Sequence, residues 1–405
     1  MSTIDRSHLM HTYAEPPVTF VRGEGSLLYD IDGKPYLDFL TGLAVTSLGH
    51  SHPKVAEAIA NQAATLCHVS NLFGNTIGPE VAATLDRLIG GGTDLEGGQV
   101  FFANSGAEAN ECALKLARRW AGPDRFAVVS TWQAFHGRTL ATLAATGQPE
   151  KQAAFLPLPE GFDHVPYDDL EAMDAACDPT RVAAVMVEPI MGEAGVVMPS
   201  SDYLVGLRQL CTDRNILLMV DEVQTGFGRT GRWFGFQHLG IEPDVVTMAK
   251  SLGNGMPVGA CWARSEVAAA FVPGDHGSTF GGQPLAMAAA RATLSVMEAE
   301  DVPRRAAASG ARLRAGLEKL PGVASVRGEG LLLGAVLSGS FAKAAVADSL
   351  ENGLVINAPA PDVLRFAPSL LVSETDIDRA LRTLGPILGR LATAAAPAEV
   401  EGSRP

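Results

Sequence analysis

Five short apolar runs, four of them closed by a distinctive polar group, constrain the fold of this chain more than any other feature. They are QVFFA (99–103), FAVVS (126–130), VAAVMV (182–187), ILLMV (216–220) and VVTMA (245–249). Continuous apolar runs of this length suit strands buried on both faces, because a strand with one wet face alternates instead. Between them lie helix-like stretches such as AEANECALKLARRWA (107–121) and SDYLVGLRQLCTDR (201–214). That alternation predicts an α/β unit built on a mostly parallel sheet with helices on its faces.

The polar closures point to one place. QVFFA leads into Asn104-Ser105-Gly106, VAAVMV into Glu188, ILLMV into Asp221 and VVTMA into Lys250. Ligands of open α/β sheets bind outside the carboxyl ends of the strands. Four polar groups at four such ends therefore predict a single shared site. After about residue 283 the texture changes. PLAMAAARATLSVMEAE (284–300) reads as a long helix. Short strands (331–337, 363–368) and helices (341–351, 374–392) follow and predict a smaller α+β unit.

Composition narrows the function classes. With 405 residues, 47% of them hydrophobic, the chain can bury one large core and a second smaller one. A formal net charge of −14 opposes a phosphate backbone, so nucleic acid is not an expected partner. Cys67, Cys112, Cys177, Cys211 and Cys261 are scattered and form no CxxC pair, which suits a reducing compartment better than disulfides or zinc. No apolar stretch has the length of a signal peptide or a membrane span, so the expectation is a cytoplasmic protein without membrane contact.

Each candidate group has a chemical reading and a plain structural one. Lys250, in VTMAKSLGNG, has a stem in a buried setting that would lower its pKa and favour Schiff-base chemistry, or it is a surface lysine at a strand end. Asp221, in VDEVQTGFGRTG, needs a cationic partner such as a protonated pyridine nitrogen, or it caps a helix. Ser105-Gly106-Ala107 at a strand-to-helix junction offers free amides and a helix dipole to a phosphate, or Ser105 is only a cap. Phe135 has a face to stack on a planar ring, while Arg138 and Arg365 have the forked geometry that grips carboxylates; structural ion pairs explain the arginines equally well. Glu188 reads as structural, and Glu193 in its glycine-flanked loop is freer to swing. His50 and His52 read as turn and packing residues, since no further ligand joins them.

Taken in order, these stretches resemble the class III (subgroup II) aminotransferases of pyridoxal-phosphate (PLP) fold type I. The matching segments include FVRGEGSLLYDIDGKPYLDF, NSGAEANECALKLAR, FHGRTLATLAATGQP, VEPIMGEAGV, MVDEVQTGFGRTGRWFGFQ, TMAKSLGNGMPVGA, STFGGQPLA and VLRFAPSLLV, so the likeness runs along nearly the whole chain. Within that class it looks closest to the acetylornithine aminotransferases of arginine biosynthesis. The resemblance implies PLP as cofactor, held by Lys250 as the Schiff-base residue. Asp221 would pair with the ring nitrogen, Glu222 and Val223 would lie beside the ring, and Gln224 would reach its hydroxyl. Ser105, Gly106 and Ala107 would hold the phosphate and Phe135 would stack on the ring. Ser278 and Thr279 would enter the neighbouring subunit's site, which implies a homodimer. Arg138 would bind the distant substrate carboxylate, Arg365 the glutamate carboxylate beside the reacting carbon, and Glu193 would cover Arg365 when the donor lacks that carboxylate.

The implied organisation is an N-terminal segment (1–45) packing with the small domain, a PLP-binding domain (46–282), a small C-terminal domain (283–396) and a loose tail (397–405). The implied reaction moves the terminal amino group of N-acetylornithine to 2-oxoglutarate, forming glutamate. Other ω-aminotransferases acting on succinyl-diaminopimelate, ornithine, 4-aminobutyrate or putrescine, and aminomutases or racemases of the same fold, are the rivals. Two departures bear on that choice. Gln283 stands where relatives often carry asparagine, and Gly74 where relatives acting on free ornithine carry an aromatic residue.

Overall fold

The computed structural model describes residues 7–91 and 97–395. The tail expected at 397–405 lies outside the described residues. Three strands open the chain: β1 (Phe20–Glu24), β2 (Leu27–Asp30) and β3 (Pro35–Asp38). Seven follow: β4 (Gln99–Ala103), β5 (Ala127–Thr131), β6 (Phe162–Val165), β7 (Val182–Val187), β8 (Leu217–Asp221), β9 (Val245–Met248) and β10 (Gly259–Ala263). The last five are β11 (Val323–Glu329), β12 (Leu332–Leu337), β13 (Leu354–Val355), β14 (Asn357–Ala360) and β15 (Val363–Phe366).

The middle seven form one sheet in the order β4-β10-β9-β8-β7-β5-β6. Pairing is parallel from β6 through β9, and β10 runs antiparallel between β9 and β4. Every residue of β5, β7, β8 and β9 is buried, as their apolar runs require, and so is every residue of β10. Two of the seven strands carry no such run. In β6, FDHV sits at the sheet edge and is half-buried, and in β10, GACWA is rich in small residues.

A second sheet, antiparallel in the order β11-β12-β15-β14, forms the core of the smaller unit. The helices Val302–Leu317, Ala342–Glu351 and Glu374–Ala395 accompany it. The third sheet joins distant parts of the chain, because β3 pairs in parallel with β13 through Leu37 and Leu354. One apolar cluster runs from Leu37 and Phe39 through Val220 and Met248 to Leu364 and Leu388, so the N-terminal segment, the large sheet and the small sheet share a core. No helix among the described residues is long and apolar enough to cross a membrane.

Candidate active site

β4 ends where the helix Gly106–Ala121 begins. Ser105 caps that helix, its Oγ accepting the Glu108 amide at 3.2 Å. Glu108 reaches back to accept from the Asn104 amide at 2.7 Å and from Asn104 Nδ2 at 2.8 Å. These reciprocal bonds fix the strand-to-helix turn and leave the first helical amides, Gly106 and Ala107, without an intrahelical acceptor. Glycine is needed at 106, since a Cβ there would lie 2.8 Å from Val223 Cγ1.

Asp221 closes β8 and is almost wholly buried. Its Oδ1 accepts the Val223 amide at 3.0 Å, while Oδ2 accepts from Asn110 Nδ2 and His136 Nδ1, each at 2.8 Å. A carboxylate facing Nδ1 places the proton on that nitrogen. Burial pushes the His136 pKa down, but the Asp221 hydrogen bond and charge outweigh it and hold the ring above its usual value. Asn110 Oδ1 and His136 Nε2 are buried with no partner among the described residues. Nearby, Glu188 accepts the Phe135 amide at 3.0 Å, and burial pushes its carboxyl up to about 7.

Lys250 follows β9 in a left-handed turn, with φ of 42°. Burial holds its amine below the usual lysine value; the carboxylates of Glu193, Asp221 and Glu188 oppose that shift, and Arg365 adds to it. An amine so placed is more readily neutral, and therefore nucleophilic, than one on the surface. Arg365 comes from β15, where its backbone is paired with Gly334 across the small sheet. Its Nη1 lies 2.5 Å from Glu193 Oε1 and also donates to the Gly192 carbonyl at 3.1 Å. Gln224 touches both partners, at 3.4 Å each. Glycine at 192 makes this approach feasible, since a Cβ would fall 1.6 Å from Gln224 Oε1. Arg365 is 1% exposed at its side chain against 32% for Glu193, so Glu193 is the solvent-facing member of the pair. Burial pushes the Glu193 carboxyl up, but the Arg365 charge and hydrogen bond outweigh it and hold it below the usual range.

These groups surround a cavity of about 390 Å³. Ser105, Gly106, Ala107, Phe135, Arg138, Glu193, Asp221, Val223, Gln224 and Lys250 all line it. Arg365 lies behind Glu193. Two groups stand elsewhere. Glu222 points away from the cavity, because its carboxylate accepts the Phe236 amide at 2.9 Å and the Thr225 hydroxyl at 2.5 Å; sequence adjacency to Asp221 does not put it beside the ring. Ser278 and Thr279 line a neighbouring cavity of about 320 Å³ that shares Asn104 with the first, and Ser278 Oγ accepts from Asn104 Nδ2 at 3.2 Å. Asn110, His136, Glu188 and Val45 also line the main cavity. Asn110 was legible in one respect: it stands one helical turn after Gly106 and so shares its face. A larger cavity, about 670 Å³, lies at the opposite ends of the strands, but its arginines, Arg208 and Arg264, are already paired with Asp244 and Glu242.

The family model described as aminotransferase class-III matches residues 9–388. This chain belongs to the class-III aminotransferases. An acetylornithine aminotransferase of Corynebacterium efficiens is 47% identical over 390 residues, 95% of each chain, and one of Gloeobacter violaceus is 50% identical over 393 residues, 95% of this chain and 96% of that one. Among solved structures, an ornithine aminotransferase of Toxoplasma gondii superposes with a TM-score of 0.90 at 35% identity, covering 96% of this chain and 94% of its own. An acetylornithine aminotransferase of Elizabethkingia anophelis gives 0.82 at 33% identity, covering 94% and 96%. Class-III aminotransferases depend on PLP. The residues of this class-III site fit that group. The Gly106 and Ala107 amides suit a phosphate, the Asp221 carboxylate a protonated pyridine nitrogen, Phe135 and Val223 the two faces of a flat ring, and the Lys250 amine its aldehyde carbon.

Proposed function

We propose that this enzyme moves the terminal amino group of N-acetylornithine to 2-oxoglutarate, forming glutamate and an N-acetylated semialdehyde. The observation that carries this reading is Glu193 lying on Arg365. One site must accept a donor that is neutral beside its reacting amine and then a keto acid that is anionic beside its reacting carbon. Arg365 uncovered pairs with the second; Arg365 covered by Glu193 tolerates the first. An aminomutase or racemase has no need of such a switch. The names of the near-full-length relatives agree with this choice of donor.

PLP, when bound, supplies an electron-withdrawing ring that takes up the amino group between the two half-reactions. Asp221 keeps the pyridine nitrogen protonated, with Asn110 and His136 orienting its Oδ2. Phe135 and Val223 hold the ring faces. Lys250 would take the proton from the donor's reacting carbon in the first half-reaction and deliver one to the acceptor's carbon in the second, a task suited to an amine whose pKa is held down. Arg138 grips the carboxylate at the far end of the substrate.

Glu193→Ala tests the switch. The variant leaves Arg365 uncovered throughout, so the glutamate half-reaction survives while the N-acetylornithine half-reaction weakens about tenfold or more, the size of leaving one charge unmatched. Single-turnover absorbance changes with each donor read the two halves separately, and equal losses contradict the switch.

We further infer a homodimer. Leu72, Phe73 and Phe280 are 86%, 71% and 64% exposed, and the segment bearing Phe280 also carries Ser278 and Thr279. Such apolar side chains gathered around residues expected in a partner's site fit a shared interface. Gly74 stands in the same exposed segment and does not line the main cavity of its own chain, so its influence on donor choice would reach the partner's cavity. A Cβ at 74 meets nothing within 4 Å in the single chain, and no positive φ strains the position, so Gly74→Tyr adds no clash at its Cβ. It supplies a ring and hydroxyl to a free α-amino group, a contact worth about 1.5–3 kcal/mol. The expected result is a ratio of kcat/KM values for N-acetylornithine over ornithine that falls roughly tenfold in Gly74→Tyr. An unchanged ratio excludes residue 74 from donor choice.

A further inference from the structure

Arg229 is a buried cation that the chemistry above does not use. It is 0% exposed, and no carboxylate pairs with it among the described residues. Burial alone pushes its pKa down, to about 9. An arginine in that setting survives only if its donors find acceptors. Nη1 donates to the Pro368 carbonyl at 2.5 Å and to the Leu331 carbonyl at 3.2 Å, and Nη2 donates to Ser47 Oγ at 3.0 Å. Nε has no partner.

The contacts have a direction. Ser47 Oγ lies 2.6 Å from Ser251 Oγ, and Ser251 Oγ donates to the Ala44 carbonyl at 3.2 Å. Ser47 Oγ also donates to the Ala44 carbonyl at 3.4 Å, so Arg229, which only donates, and that carbonyl, which only accepts, bracket a cluster that reaches from Arg229 through Ser47 to Ser251. Its two ends matter. Ser251 is the residue after Lys250 and belongs to the same turn, which Lys250 enters with positive φ. Pro368 is three residues beyond Arg365, on the chain leaving β15. Backbone bonds run beside the same path: Leu370 donates to the Ser47 carbonyl at 2.7 Å and Ala367 to the Phe39 carbonyl at 2.8 Å.

We propose that Arg229 is a positioning residue that locks the strand carrying Arg365 to the turn carrying Lys250. The two groups come from different sheets, separated by more than a hundred residues of chain, and one guanidinium reaches the Arg365 segment directly at the Pro368 carbonyl and the Lys250 turn through Ser47 and Ser251, by hydrogen bonds rather than through an ion pair. A carboxylate partner would have satisfied the charge but fastened only one segment. Three neutral acceptors on separate segments make the cation a joint. The spacing it sets matters most when a substrate is held by Arg365 and worked on by Lys250 at the same time, which rests on the anchor reading of Arg365 given above and applies to glutamate but not to N-acetylornithine.

The test uses the PLP-loaded enzyme with Ser47→Ala, which breaks the chain while keeping the guanidinium, and Arg229→Lys as a second variant. Hydrogen exchange of the amides at 252–254 and 367–372 reads the lock without reference to activity. In Arg229→Lys both segments are expected to exchange roughly tenfold faster together, the size of losing one hydrogen bond to a charged group, whereas Ser47→Ala, which keeps the Arg229 bond to Pro368, is expected to quicken 252–254. Quickening of one segment alone or of neither in Arg229→Lys, or no quickening of 252–254 in Ser47→Ala, overturns the lock. Single-turnover rates with glutamate are expected to fall at least about fivefold further than those with N-acetylornithine. If both segments loosen and the two donors nevertheless slow alike, the lock stands and the anchor reading of Arg365 fails; an Arg365→Lys control that also slows both donors alike identifies that failure independently.

Discussion

Lys250→Ala abolishes turnover, lowering it by about a thousandfold or more, while the protein keeps its fold. The magnitude follows from two tasks lost at once. A positioned acid–base group contributes on the order of a hundred- to ten-thousandfold, and the same amine forms the covalent link to the cofactor. The fold survives because the turn at 250 is held by its neighbours. Leu252 donates to the Ala249 carbonyl at 3.0 Å and Ser251 to the Ala44 carbonyl at 3.2 Å, and neither bond uses the lysine side chain. Alanine and lysine both carry a Cβ, so the left-handed φ of 42° costs the variant no more than the wild type. The cofactor still binds through the helix amides, Asp221 and the ring-facing side chains, without its covalent tether. Borohydride treatment of the wild-type holoenzyme followed by peptide mapping checks the link itself. Label on the peptide bearing Lys250 is the expected result; label at Lys151 or Lys343 contradicts it.

Asp221→Asn carries the second largest effect, a fall in turnover of about two to three orders of magnitude, the size found when one electrostatic partner of a developing charge is removed. The substitution keeps the side-chain shape and removes the charge. Its consequences reach past the ring nitrogen. Oδ2 accepts from Asn110 and His136, and a neutral amide presented to two donors satisfies them poorly. His136 also loses the group that holds its pKa up. In the wild type that raised pKa contributes stability fully present below the unfolded histidine value and lost as pH rises through the folded value. Thermal midpoints are therefore expected to fall with rising pH in the wild type, where the raised carboxyls of Glu188 and Glu222 act in the same direction below about 7, and to fall less steeply above that in Asp221→Asn. Turnover within a few-fold of wild type would reduce Asp221 to a structural role.

How much of this was legible in the sequence depended on where each residue's reason lies. The strands that deliver Glu188, Asp221 and Lys250 announce themselves, because burial on both faces demands unbroken apolar runs, and the run before Asn104 is as apolar although its strand is only half-buried. β6 and β10 do not. An edge strand tolerates Asp163 and His164, and the small residues of GACWA carry no strand signal. The N-terminal sheet was illegible for another reason, since β3 finds a partner in β13 more than three hundred residues away. The same division holds in the site. Residues at strand ends and helix starts were reachable from local pattern. His136 and the Arg229 chain were not, because their meaning comes from the partners that tertiary packing brings to them. Glu222 was placed beside the ring by the resemblance, and packing instead turns its carboxylate to the Phe236 amide and the Thr225 hydroxyl.

The central claim is the donor, and a single comparison tests it most directly. The purified PLP-loaded enzyme, supplied with 2-oxoglutarate, is assayed for kcat/KM with N-acetylornithine and with free ornithine under one set of conditions. The account predicts that N-acetylornithine is preferred by at least about tenfold, because Gly74 offers no side chain to a free ammonium group and leaves room for an acyl group. Equal values, or a preference for free ornithine, would contradict it.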